Sequence, residues 1–143
     1  PVGYEDNCQI GVGSMVWDWV LCDNGEKIKT PKPNRLHEKD FTELCAIFKG
    51  TSFEKIYNAL SEKYSLGRVR IMKSKPHTCL SWHTDFSKRI HFPIKTQEGC
   101  FMVIDDEIKH LKQNQWYMTD TSKMHTAFNA SSETRYHLVG VIR

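Results

Sequence analysis

The tripeptide His83-Thr84-Asp85, inside the run CLSWHTDFSKRIHFPI, and a lone histidine in the downstream run SKMHTAFN have the types and spacing that suit metal chemistry. If Leu80–His83 is a strand, His83 and Asp85 project from one face, because strand side chains alternate with period two. His125 from a neighbouring strand then completes a set of two imidazoles and one carboxylate. That donor set suits Fe(II) held on one side, with the other side open to a cosubstrate and O2. An HxD tripeptide alone is a common chance match. Arg135, ten residues past His125 at the head of the run RYHLVGVIR, gives it weight. A planar guanidinium takes a carboxylate with two parallel charge-assisted hydrogen bonds, as the far end of a metal-bound 2-oxo acid requires. A hairpin through Asn129–Glu133 would make Arg135 a neighbour of His125. Singly, His83 and Asp85 read as a surface pair, His125 as a core histidine and Arg135 as a solvated strand end. In combination they read as a site.

Eight short strands are expected to carry these residues: Arg68–Lys73, Cys79–His83, Arg89–Ile94, Cys100–Ile104, Glu107–Leu111, Gln115–Met118, Met124–Phe128 and Arg135–Ile142. Such a series suggests a sandwich or barrel, jelly rolls and cupins included. Arg89 and His91 share one strand face and Ile90, Phe92 and Ile94 the other. Arg135 and His137 lie with Val139 and Val141, opposite Tyr136, Leu138 and Ile142. A polar strand face backed by an apolar one is either a wet outer surface or the lining of a polar cavity.

Upstream, Met15–Cys22 and Lys27–Thr30 flank turn chemistry at Asp23–Glu26 and predict a hairpin, with Gln9–Val12 as a further short strand. Two helices are expected next. The first carries Leu36, Phe41, Leu44, Cys45 and Phe48 and stops at Gly50. The second, capped by Thr51 or Ser52, has a stripe of Phe53, Ile56, Tyr57, Leu60 and Tyr64 and ends at Gly67. The class is therefore α+β, mainly β: a double-stranded β-helix of the jelly-roll or cupin kind, with two N-terminal helices packed on its outside. One domain is expected over 1–143, with 1–67 as N-terminal strands and helices and 68–143 as the core.

Composition excludes several classes. With 143 residues, 39% apolar and 26% charged, the chain suits a globular domain, and its net charge of +3 leaves no strong footprint for nucleic acid. No apolar run is long enough to span a bilayer and no signal-peptide pattern is evident. The chain opens on Pro1 rather than Met, as a trimmed start would. Five widely spaced cysteines without a CxxC pair argue for reduced thiols in a cytosol rather than disulfides or structural zinc. His77 and Cys79 share a strand face but lack the second pair that a zinc site needs. His37 and His110 read as surface residues. Trp82, Phe86 and Trp116 read as core or as the mouth of a substrate site. Lys73, Lys75, Lys88 and Arg89 form a local basic cluster.

The run from about Arg68 to Arg143 resembles the aspartyl/asparaginyl β-hydroxylase family of Fe(II)/2-oxoglutarate-dependent dioxygenases. The matching residues are Pro76, His83, Arg89-Ile90-His91, Glu98-Gly99-Cys100, His125 and Arg135. The resemblance implies a double-stranded β-helix in which His83 and His125 bind Fe(II) and Arg135 binds the distal carboxylate of 2-oxoglutarate. Arg89 and His91 would line the cosubstrate pocket. Two departures stand out. Family members acting on protein domains in animals have glycine where this chain has Asp85, and their serine eleven residues before the first histidine falls at Met72 here, with Ser74 out of place. Asp85 also favours hydroxylation over halogenation, which needs a small residue there. The expected reaction consumes O2 and 2-oxoglutarate and releases succinate and CO2, on a small molecule or peptide of Asp/Asn-like chemistry. Two other readings stand beside it: a non-redox cupin or isomerase that binds metal without regard to 2-oxoglutarate, and a sugar- or protein-binding sandwich with structural histidines.

Overall fold

The computed structural model describes residues 17–21, 27–31 and 37–143. Strands β1 (Trp17–Leu21) and β2 (Lys27–Pro31) pair antiparallel as the predicted hairpin. The strand expected at Gln9–Val12 and the turn at Asp23–Glu26 lie outside the described residues.

Each of the eight strands expected downstream is present. They are β3 (Leu66–Ser74), β4 (Thr78–Cys79), β5 (Arg89–Lys95), β6 (Cys100–Ile104), β7 (Glu107–Lys109), β8 (Tyr117–Thr119), β9 (His125–Asn129) and β10 (Arg135–Ile142). They form two four-stranded antiparallel sheets, ordered β3-β10-β5-β8 and β4-β9-β6-β7. Successive strands alternate between the sheets, save that β6 and β7 are neighbours in one, so each sheet interleaves strands from the beginning and end of the run. That is the double-sheet jelly roll, or double-stranded β-helix.

One α-helix, α1 (Ser52–Ser61), packs on the outside rather than the expected two. Its start is as the sequence implies: the Thr51 side chain accepts from Phe53 N at 3.2 Å. Leu60 is buried against Leu66, Val69, Ile90 and Leu138, with Phe53, Ile56, Tyr57 and Tyr64 alongside. The other expected helix is replaced by two single 3-10 turns, Glu38–Asp40 and Ala46–Phe48. Between them the chain is extended at Phe41 and Cys45, both buried. Burial of these two side chains thus wins over a helical spacing whose residues carry no strong propensity. Gly67 does not end a helix either; it lies inside β3. A Cβ there would come 2.6 Å from Glu38 O, so glycine lets the Glu38 turn lie flat on the strand.

The alternation of β5 and β10 decides which way the polar face looks. Val69, Ile90 and Leu138 belong to the cluster under α1. The opposite faces, carrying Arg89 and His91 on β5 and Arg135 and His137 on β10, therefore look into the roll. The polar face is the lining of the interior.

Truncating the contact that fixes this orientation should be costly. Leu60→Ala is expected to lower stability by about 2–5 kcal/mol, the range for a buried leucine that leaves a cavity. Urea unfolding followed by circular dichroism measures it.

Candidate metal centre

β4 ends at Cys79, but the chain runs on extended, and His83 meets His125 in an isolated antiparallel bridge. His83 N donates to His125 O at 3.1 Å and His125 N to His83 O at 2.9 Å. The two rings lie 4.3 Å apart between centroids. Asp85 is placed by its own backbone, its N donating to Thr121 O at 2.8 Å. One nitrogen from each histidine and one Asp85 oxygen all fall within 4.8 Å of one another, the single such cluster among the described residues. His77 and Cys79 are not part of any. His77 sits in a turn with φ of 53° and Cys79 is exposed.

The tautomers suit metal binding. His83 Nδ1 is 2.7 Å from Ser81 O and His125 Nδ1 is 2.9 Å from Lys123 O. A carbonyl only accepts, so each Nδ1 carries a hydrogen and Nε2 is the nitrogen left to face a metal. His125 Nε2 lies 3.6 Å from Asp85 Oδ2. Two imidazole nitrogens and a carboxylate fit the donor preferences of Fe(II).

Arg89 lies under Asp85. Its Nε donates to Oδ2 at 3.1 Å and its Nη2 reaches Oδ1 at 3.0 Å, a two-point fork on the carboxylate. Its Nη1 is buried without a partner among the described residues. His91, next along the same face, has neither ring nitrogen hydrogen-bonded among the described residues. Burial, then the positive charges of Arg135 and Arg89, push its pKa from 6.5 down to about 3, while Asp85 pulls the other way. The charges acting on His91 thus include Asp85 of the candidate triad as well as Arg135 and Arg89. His137, 5.8 Å from His91 between ring centroids, is depressed to about 2 by burial and then by Arg135.

Arg135 is buried, and burial pulls its pKa down. No carboxylate lies within salt-bridge distance of it among the described residues, and its Nε is unpartnered among them. It does not reach the site across a hairpin with β9, as the spacing suggested. β9 and β10 lie in different sheets, because the turn between them crosses the roll. Asn129 holds that crossing by donating to Ser74 O at 3.1 Å and Glu133 O at 2.7 Å.

Sequence reasoning set Ser74 aside and gave no role to Arg68 or Glu38. Ser74 pairs with Arg135 and Met72 with His137 in the β3–β10 register. Directly opposed residues share a face, so Ser74 stands on the inner face beside Arg135, as Met72 does beside His137. Its two-residue offset from Met72 is the period-two signal that shows this. By the same parity Arg68 points inward, and Glu38 bonds to both Arg68 and Arg89. No sequence spacing links Glu38 to them. The basic cluster, for its part, divides between faces: Lys73 and Lys88 are exposed while Arg89 is buried inside. Trp116 stacks on Phe92, 4.6 Å between centroids, on the helix side of the sheet. Trp82 and Phe86 are exposed on either side of the triad. His110 is half-buried, its Nδ1 on Cys100 O at 2.8 Å.

Fold and site together define a cupin-like roll with a candidate metal centre inside it. A family model, Aspartyl/Asparaginyl beta-hydroxylase, matches residues 5–142, and the chain belongs to that family. No curated protein matches it. Among solved structures the chain is similar to a conserved Streptococcus pyogenes protein of unknown function, with 14% identity and a TM-score of 0.47 over 55% of this chain and 64% of that one. It therefore spans less than two thirds of that protein's length. It is also similar to a predicted oxalate decarboxylase from Thermotoga maritima, with 16% identity and a TM-score of 0.47 over 59% and 71%. A third similarity is to a cupin domain from Bordetella pertussis, with 16% identity and a TM-score of 0.46 over 52% and 79%. Among the described residues no helix is long and apolar enough to cross a membrane.

The two depressed histidines make stability depend on pH. Each is neutral when folded and takes up a proton on unfolding, so stability falls as pH falls below the unfolded value. With folded values of about 3 and about 2 against 6.5, the loss is expected from about pH 6.5 downward, at up to ~1.4 kcal/mol per pH unit for each histidine. Urea midpoints of the metal-free protein between about pH 7 and about pH 5 should fall, and His137→Leu should remove about half of that slope. An unchanged slope in the variant would show that His137 is not buried in its neutral form.

Proposed function

We propose that this chain is an Fe(II)- and 2-oxoglutarate-dependent hydroxylase acting on an amino-acid or peptidyl C–H bond of Asp/Asn-like chemistry. The observation that carries the reading is Arg135, a buried cation with no carboxylate beside it among the described residues, facing the same interior as His83, Asp85 and His125. An unpaired buried charge is expensive unless a ligand supplies the opposite one. A dianion of two carboxylates, one on the metal and one on Arg135, meets that demand. His83, Asp85 and His125 would hold the iron. His91, neutral, offers a ring N–H to the carboxylate on the metal side, and Arg89 offers its remaining Nη1 hydrogens.

Iron, 2-oxoglutarate and O2 together supply the oxidising power that turns a C–H bond into C–OH, with succinate and CO2 as the coproducts. The chain's own contribution is placement and exclusion of water. Arg135 fixes the orientation of the distal carboxylate in a way that lysine would not. The apolar Val139 and Val141, both buried, wall the space beside His91 and Arg89. The room proposed for substrate is a cavity of about 700 Å³ lined in part by Met102, Ile104, Leu111, Tyr117, Asp106 and Asp120, beside the proposed metal ligands rather than around them. Ile104 faces His125 across the β6–β9 ladder and Thr119 of the same cavity faces Arg89. The cavity has a size typical of small-ligand sites, which suits a free amino acid or one side chain of a short peptide.

An anaerobic titration tests this. Addition of Fe(II) and then 2-oxoglutarate is expected to produce the weak visible charge-transfer band of the chelated complex. His83→Ala and Asp85→Ala should abolish the band and succinate release. Arg135→Ala should raise the 2-oxoglutarate concentration needed by about 10- to 100-fold, since hydrogen bonds to a charged group contribute about 1.5–3 kcal/mol. Bound metal with no response to 2-oxoglutarate would identify a non-redox cupin instead.

A further inference from the structure

Glu38 belongs to none of the motifs that point to the metal centre, yet its carboxylate ends a line of charges that starts at Asp85. Arg89 Nη2 carries two hydrogens. One completes the fork on Asp85; the other goes to Glu38 Oε2 at 2.6 Å. The second Glu38 oxygen is bonded to Arg68 Nη2. The side chains of Arg68 and Arg89 are 7% and 5% exposed, so these are not screened surface pairs. The backbone holds Glu38 in place independently. His37 N donates to Asp40 Oδ2 at 2.7 Å, closing the turn, and the missing side chain of Gly67 lets that turn sit on β3.

We propose that Glu38 is a positioning residue for the metal centre, acting through Arg89 on Asp85; this rests on the reading of His83, Asp85 and His125 as metal ligands. The reason is a competition for one guanidinium. With Glu38 present, Arg89 is held in its plane by carboxylates on two sides and shares its charge between them. Asp85 then keeps electron density for a metal. Without Glu38, Arg89 turns its whole charge on Asp85, which becomes a poorer ligand, and Arg68 loses the anion that it shares with Arg89. Outer-sphere partners of this kind typically change metal affinity by about 10- to 100-fold.

A purely structural Glu38, stapling the turn to β3, would change the melting temperature and leave metal affinity untouched in the folded protein. Co(II), which is spectroscopically visible and needs no 2-oxoglutarate, separates the two. The full chain is titrated with Co(II) as wild type, Glu38→Gln, Arg89→Gln and the double variant, with thermal unfolding recorded for each. Glu38→Gln is expected to weaken Co(II) binding by about 10- to 100-fold. In the Arg89→Gln background the same change should have less than about a 2-fold effect, since its route to Asp85 is gone. Wild-type affinity in a folded Glu38→Gln protein overturns the proposal, as does an undiminished loss in the Arg89→Gln background. If Glu38→Gln does not unfold cooperatively, Glu38→Asp keeps the charge but withdraws it by one methylene, and wild-type affinity there overturns the proposal equally. Wild-type protein that binds no Co(II) rejects the metal-centre reading itself, a result distinct from either.

Discussion

Cations buried inside a β-roll are the constraint on which the rest of this structure depends. Arg68, Arg89 and Arg135 all lie on the inner face of the first sheet and all are buried. Stripping an ion of water costs several kcal/mol even after relaxation, so each needs an anion. Glu38 and Asp85 meet the demand for Arg68 and Arg89. Arg135 has no such partner among the described residues, and the polar atoms left unpartnered around it, both His91 nitrogens and Nε2 of His137, point to the same absence.

That arrangement inverts the usual order of a β-sandwich, in which apolar side chains face the partner sheet. Here the apolar side of the first sheet faces outward and is covered by α1 through Leu60, Phe53, Ile56 and Tyr57. The second sheet adds Met102 and Ala127, packed near Leu111, to the apolar share of the interior that Val139 and Val141 supply from the first. A helix on the outside is thus the condition for polar residues on the inside. It accounts for the folding of a chain with so many ionisable groups in its core.

Within the family to which the chain belongs, the carboxylate at Asp85 is where this sequence departs from members that have glycine. The structure gives that carboxylate a setting of its own. Its backbone is fixed by Thr121, its oxygens are forked by Arg89, and Arg89 is braced in turn by Glu38. A carboxylate so restrained keeps one orientation, and a metal bound there would cost it less entropy.

The sequence by itself determined what depends on local spacing. The alternation in RIHFPIK and RYHLVGVIR set which residues share a face, HTD put two donors on one side of an extended segment, and Thr51 started the helix where a side-chain cap belongs. Those are short-range consequences of strand and helix geometry. Tertiary structure decided the rest. Burial of Phe41 and Cys45 undid a helix that their spacing allowed. The crossing at Asn129 carried Arg135 to the other sheet rather than across a hairpin. Ser74 was joined to Arg135, and Glu38 to Arg89 fifty-one residues away, only when the sheets closed. Pairings over such separations depend on which strands lie side by side and which charges must share a dry interior, and no local pattern encodes either.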